Sequence, residues 1–143
     1  MSTDSFRALM ARKADGGQAI ALETITEADL PAADVTVDVE YSSFNYKDGL
    51  ALKGLSRILR ALPMVPGIDL AGTVRASENP AFAAGDKVVL TGWGVGENWS
   101  GGFAERARVK GEWLGKLPGS LSPPPAMALC PARLTPLICG DAL

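Results

Sequence analysis

From Val35 to Tyr41 the chain alternates. Val35, Val37, Val39 and Tyr41 are apolar, and Thr36, Asp38 and Glu40 between them are polar. A period of two is that of a half-buried strand. Upstream, Phe6–Ala11 and Gln18–Ile25 read as the two strands of a hairpin, joined at the turn signal Asp15-Gly16-Gly17. Thr26 to Asp34 is polar, contains Pro31 and reads as a loop. Downstream, Pro63 and Pro66 forbid helix, and a short strand is expected before Val74. Gly67 and Gly72 in that stretch mark either unusual φ angles or close backbone approach. Ser77 to Gly85 is a polar loop, and Lys87–Thr91 is a strong strand. Phe103–Lys110 and Trp113–Leu117 read as two more strands. Lys47–Leu52 reads as a short helix with Asn45 as its cap and Gly54 as its end, and Arg57–Arg60 as a further turn. Another helix is expected at Ala126–Leu129, after Pro123-Pro124-Pro125. Roughly six or seven short strands separated by glycine and proline turns imply a mainly β, barrel-like domain.

At Ser42 the alternation stops. In Tyr41-Ser42-Ser43-Phe44-Asn45-Tyr46-Lys47-Asp48 an amide, a phenol, an amine and a carboxylate fall on consecutive residues. Polar groups crowded at the end of a rigid strand can be aimed into a cleft. The same groups can serve the helix instead: Asn45 as its cap, and Asp48 in the first turn against the helix dipole. The residues by themselves leave both readings open.

Composition removes several kinds of chemistry. The chain of 143 residues fits one domain, and its formal charge of −2, with no local Lys/Arg cluster, gives no footprint for nucleic acid. No apolar run of about 18 residues suggests a membrane span. The first residues lack the basic and apolar regions of a signal peptide, so a cytoplasmic location is expected. There is no histidine, which excludes a Ser-His or Cys-His nucleophile pair and any histidine metal ligand within the chain. Cys130 and Cys139 alone do not close a zinc site and read as reduced thiols. Gly92 to Gly102 is glycine-rich, but it lacks a terminal Gly-Lys-Ser/Thr and opens a strand rather than a helix. It is therefore no phosphate cradle. Trp93 and Trp99 in that loop either wall a substrate cleft or pack into the core. Asp69 is expected to make a strand-end hydrogen bond. Glu105, in register with Phe103, Ala107 and Val109, is expected to be partly buried and paired with an arginine.

Four stretches taken in order resemble the medium-chain dehydrogenase/reductase superfamily. They are Tyr41–Asp48, Pro63–Val74, Gly85–Glu97 and Gly101–Trp113. The resemblance runs from about Phe6 to Leu129 and is nearest the zinc-independent quinone oxidoreductase-like branch that includes acrylyl-CoA reductases. It implies a GroES-like, partly open β-barrel over residues 1–125, with the Rossmann domain of the family absent from the chain. It also implies a divergent tail over 126–143, where relatives lead into that domain. The implied activity is NADPH-dependent reduction of the activated C=C bond of an acryloyl or enoyl-CoA thioester, or of a quinone. The isolated chain is expected to be inactive, and a non-catalytic binding or assembly module is the alternative. Zinc-binding relatives continue their Pro-Gly motif with His-Glu, where this chain has Ile68-Asp69, so no metal is implied. On this resemblance Tyr46 contacts NADPH. Asn45 polarises a carbonyl or fixes the nicotinamide carboxamide, and Asp48 orients its neighbours. Asn45, Tyr46 and Asp48 are thus the candidate catalytic residues, with Tyr46 and Asn45 also binding cofactor. Small-molecule acyl-CoA or quinone partners follow, and homodimers are frequent in the family.

Overall fold

The computed structural model describes residues 4–120. The helix expected at 126–129, both cysteines and the whole of 126–143 lie outside them. The described residues form seven strands in two antiparallel sheets. Strands β1 (Phe6–Ala14) and β2 (Gly17–Ile25) make a hairpin, paired from Phe6↔Ile25 to Ala14↔Gly17. The strands extend to the turn itself because Gly16 at φ 79° takes the left-handed conformation that a tight hairpin needs. The second sheet has the order β6-β3-β4-β5-β7, with β3 (Val35–Tyr41), β4 (Asp69–Ser77), β5 (Lys87–Thr91), β6 (Arg106–Val109) and β7 (Gly115–Lys116).

The alternation in β3 is only partly expressed as burial. Val35 and Val37 are buried, but so is Thr36, whereas the strand emerges into solvent at Glu40 and Tyr41. Thr36 lies on the opposite face from the two valines, where the Arg108 guanidinium reaches its hydroxyl at 3.4 Å. Val35, Val37, Leu70, Val74, Val88, Leu90, Val95, Ala107 and Val109 form the main core. A second cluster joins the hairpin residues Phe6, Ala8, Met10 and Ile25 to Leu30 and Val65.

Four expectations are corrected. Phe103–Lys110 is not one strand, because its first part serves two sheets. Leu9 N–H donates to Phe103 O at 2.8 Å and Glu105 N–H to Arg7 O at 3.0 Å, while Glu105 O accepts Val39 N–H at 2.9 Å. The segment is a seam between hairpin and sheet, and regular pairing starts at Arg106. Glu105 is consequently exposed, although its expected partner is present: its carboxylate accepts the Arg7 N–H at 2.7 Å and the Arg7 guanidinium at 2.7 Å. Trp113–Leu117 is likewise a 3₁₀ turn over Gly111–Trp113 followed by the two-residue β7. The loop after β2 also contains a 3₁₀ turn, at Glu27–Asp29.

Beside the seam, Arg106 is buried and bonded to Asp4, Glu27 (3.4 Å) and Asp38 (3.3 Å). Its guanidinium also lies 5.3 Å above the Phe6 ring. One charge thus ties the start of the chain, the 3₁₀ turn, β3 and β6 together. No described helix is long and apolar enough to cross a membrane.

Candidate functional site

The polar stretch after β3 turns inward. Helix α1 (Tyr46–Leu52) starts one residue before the expected Lys47, with Asn45 in the expected cap position. Asp48 Oδ2 accepts the Asn45 backbone N–H at 2.8 Å, the return bond of a capping box. Asp48 has 0% exposure, and its other oxygen, Oδ1, accepts Ile68 N–H at 3.1 Å. This bond fixes α1 against the Pro63–Ile68 segment.

Asp69, the first residue of β4, is 2% exposed and completes the cluster. Its Oδ1 accepts Ser43 N–H at 2.8 Å and the Ser42 hydroxyl at 3.2 Å. Its Oδ2 accepts the Ser43 hydroxyl and, at 3.1 Å, the Asn45 amide. The Asn45 Nδ2 also lies 3.2 Å from Asp48 Oδ2 and 3.0 Å from Ser43 Oγ. One amide therefore bridges two buried carboxylates. Both of its hydrogens face protein acceptors, so touching a bound carbonyl would require giving one up.

Glycines bring the backbone around this cluster. Gly67 has φ 105°, and a Cβ there would lie 2.9 Å from Gly102 N and Phe103 N. A Cβ on Gly101 would fall 2.0 Å from Gly67 O, and one on Gly102 would fall 2.1 Å from Asp69 O. The Pro66–Asp69 strand end and the Gly101-Gly102 turn are thus packed backbone on backbone. Lys47 forms an ion pair with Glu97, which ties α1 to the glycine-rich loop. At the other expected close approach, a Cβ on Gly72 would fall 2.0 Å from Asp38 O.

The three candidate residues separate by depth. Tyr46 is 84% exposed, and its phenol has no hydrogen-bond partner among the described residues. Asn45 is half-buried, and Asp48 is fully enclosed. Asp69 makes the strand-end hydrogen bonds expected of it, but it also holds Asn45, which spacing alone could not signal. The adjacent hydroxyls Ser42-Ser43 were the available hint, since two short donors beside a strand end need an acceptor. The tryptophans differ. Trp99 Nε1–H donates to Arg108 O at 2.8 Å and meets Trp113 edge-on at 5.2 Å, whereas Trp93 is 63% exposed. Phe44, also exposed, stacks on Phe103 at 6.2 Å. Among the described residues no three His, Cys, Asp or Glu side chains group as metal ligands would.

Comparison with known proteins places the chain in a family. Residues 31–119 match the alcohol dehydrogenase GroES-like domain. The chain is 53% identical over 137 residues to the probable acrylyl-CoA reductase AcuI of Escherichia coli, covering 96% of this chain and 42% of that protein. It superposes on the yhdH oxidoreductase of Salmonella enterica, solved in complex with NADP, with a TM-score of 0.87 at 55% identity, covering 96% of this chain and 42% of the other. The Bacillus subtilis protein yhfP, solved with NAD bound, gives a TM-score of 0.86 at 40% identity, covering 99% of this chain and 43% of the other. The chain therefore spans about two fifths of the length of these relatives.

Proposed function

Because the chain belongs to the alcohol dehydrogenase GroES-like family of the medium-chain dehydrogenase/reductase superfamily, we propose that it is the catalytic-domain part of an NADPH-dependent reductase. The substrate class is an activated alkene conjugated to a thioester, an acryloyl or enoyl-CoA, with quinones as the second class. The observation that carries this reading is the exposed Tyr46 phenol, without a hydrogen-bond partner among the described residues, beside the hydrogen-bonded Asn45–Asp48–Asp69 cluster. It occurs in a chain 53% identical to a protein named as an acrylyl-CoA reductase.

NADPH, when bound, supplies the hydride that adds to the β-carbon of the alkene. The protein's task is to receive the charge that develops on the thioester oxygen and to deliver a proton to the α-carbon. Tyr46 suits a contact to cofactor or substrate, because its hydroxyl both donates and accepts and has a reference pKa of about 10. Asn45 and Asp48 act here as positioning residues. Their mutual bonds, and the Asp69 bonds to Ser42, Ser43 and Asn45, fix where the Tyr46 backbone leaves the helix cap. The donor set does not fit zinc: the chain has no histidine, and Ile68-Asp69 stands where zinc-binding relatives carry His-Glu. No step is assigned to a metal.

The test is NADPH oxidation by the intact reductase. Consumption that depends on acryloyl-CoA is expected, and its absence with both acryloyl-CoA and simple quinones would reject the reading. The runner-up, a non-catalytic binding or assembly module, rests on the absence of a Rossmann domain from these 143 residues. Titrating NADPH into the chain while following tryptophan fluorescence separates the two, since saturable quenching counts against an inert module.

A further inference from the structure

Trp93 is an exposed aromatic outside both the core and the Asn45–Asp48–Asp69 cluster. Three consecutive residues, Gly92 (φ 80°), Trp93 (φ 56°) and Gly94 (φ 75°), are left-handed. Glycine adopts this conformation freely, but a bulky L-residue there is an outlier. The surroundings impose it. Gly92 N–H donates to Ile68 O at 3.2 Å, Val95 N–H to Gly92 O at 3.1 Å, and Asn98 N–H to Gly94 O at 2.9 Å. Val95, two residues on, is 1% exposed in the main core. Glycine would meet every backbone demand at position 93. The indole is nevertheless held 63% exposed, with no hydrogen-bond partner among the described residues. Strain kept at one residue by rigid neighbours points to a use for its side chain.

The location indicates the use. Thr91 pairs with Asp69, the carboxylate that holds Ser43 and Asn45. Trp93 therefore leaves β5 two residues beyond that pair, at the sheet end where Tyr46 leaves the helix cap. Resting on the reductase reading above, we propose that Trp93 is a substrate-specificity residue. Its indole offers a flat apolar face against which the planar conjugated acyl group of an enoyl thioester lies.

Two variants of the intact reductase test this, Trp93→Gly and Trp93→Phe. Trp93→Gly removes the indole and relieves the backbone. Its Tm should stay equal or rise, its KM for NADPH should hold, and its kcat/KM for the enoyl thioester should fall about tenfold. Trp93→Phe keeps a flat ring and should stay within about threefold of the parent. A fall in Tm for Trp93→Gly would mean that the indole packs against protein and would overturn the proposal. A raised KM for NADPH, which would assign the indole to the cofactor, or an unchanged kcat/KM would overturn it too. If the parent enzyme reduces no alkene, the reductase reading fails and takes this assignment with it. An active parent with indifferent variants removes the role of Trp93 alone.

Discussion

Tyr46 and Asp48 are two residues apart in one helical turn, yet their surroundings are opposite. The phenol is 84% exposed, and the carboxylate is fully enclosed. Substitution should therefore separate function from stability. Tyr46→Phe removes an exposed hydroxyl with no partner among the described residues, so its unfolding free energy should stay within about 0.5 kcal/mol of the parent. In the intact reductase it should raise the KM for NADPH or lower kcat, and no change in either would leave the phenol without a role. Asp48→Ala strands the Asn45 and Ile68 backbone N–H groups that its carboxylate now accepts. Leaving buried donors unmet costs about 1–3 kcal/mol each, which a lowered denaturant midpoint at constant m-value would report. The two substitutions probe a contact and its support, respectively.

At the scale of elements, the seam at Phe103–Glu105 and the glycine contacts beside it decide how the hairpin meets the sheet. Gly101 and Gly16 make a controlled comparison. A Cβ on Gly101 would sit 2.0 Å from Gly67 O, whereas one on Gly16 would meet nothing within 4 Å. Gly101→Ala must push two backbones apart and should destabilise by roughly 1–3 kcal/mol or more. Gly16→Ala should cost only about 1 kcal/mol, the penalty of a left-handed alanine in an open turn. Equal losses in thermal unfolding would contradict the interlock. The same contacts lie over the Asp69 carbonyl, so Gly102→Ala should disturb the Ser43–Asn45 cluster as well as stability.

For the whole molecule, hydrogen bonds to charged groups join segments distant in sequence. Asp34 links three of them, accepting Asn79 Nδ2–H at 2.8 Å and Gly111 N–H at 2.9 Å. The Asn79 bond, followed by that from Gly111, holds its carboxyl below the ordinary value of 3.8 against the opposing effect of partial burial. A lowered native pKa means that the unfolded chain takes up the proton first. The Asp34 contribution is thus complete above pH 3.8 and is lost as the pH falls through the lower native value. Stability measured by denaturant should decline below about pH 4, and Asp34→Asn should flatten part of that decline. A parent and variant with the same acid dependence would exclude Asp34 from it. At this scale too, the 143-residue chain alone should give no turnover with NADPH and acryloyl-CoA, because it spans about two fifths of the length of the relatives it matches. Measurable turnover would refute that view.

Local chemistry made β3, β5, the β1–β2 hairpin and the start of α1 legible in the sequence. Their signals, period-two alternation, a glycine turn and an Asn cap, act within a few residues. The motif Tyr41–Asp48 was legible as a concentration of polar groups, but its division of labour was not. Only tertiary structure brings Asp69, 21 positions after Asp48, onto the same amide, because antiparallel pairing of β3 with β4 sets Tyr41 against Ala71. The split of Phe103–Lys110 was hidden for the same reason, since an extended segment shared by two sheets looks in sequence like one strand. Residue types and local periods determined which elements form and which chemistry is excluded. Long-range packing decided which side chains are consumed inside and which, like Tyr46 and Trp93, are left exposed, because burial belongs to the assembled backbone and not to any short stretch of it.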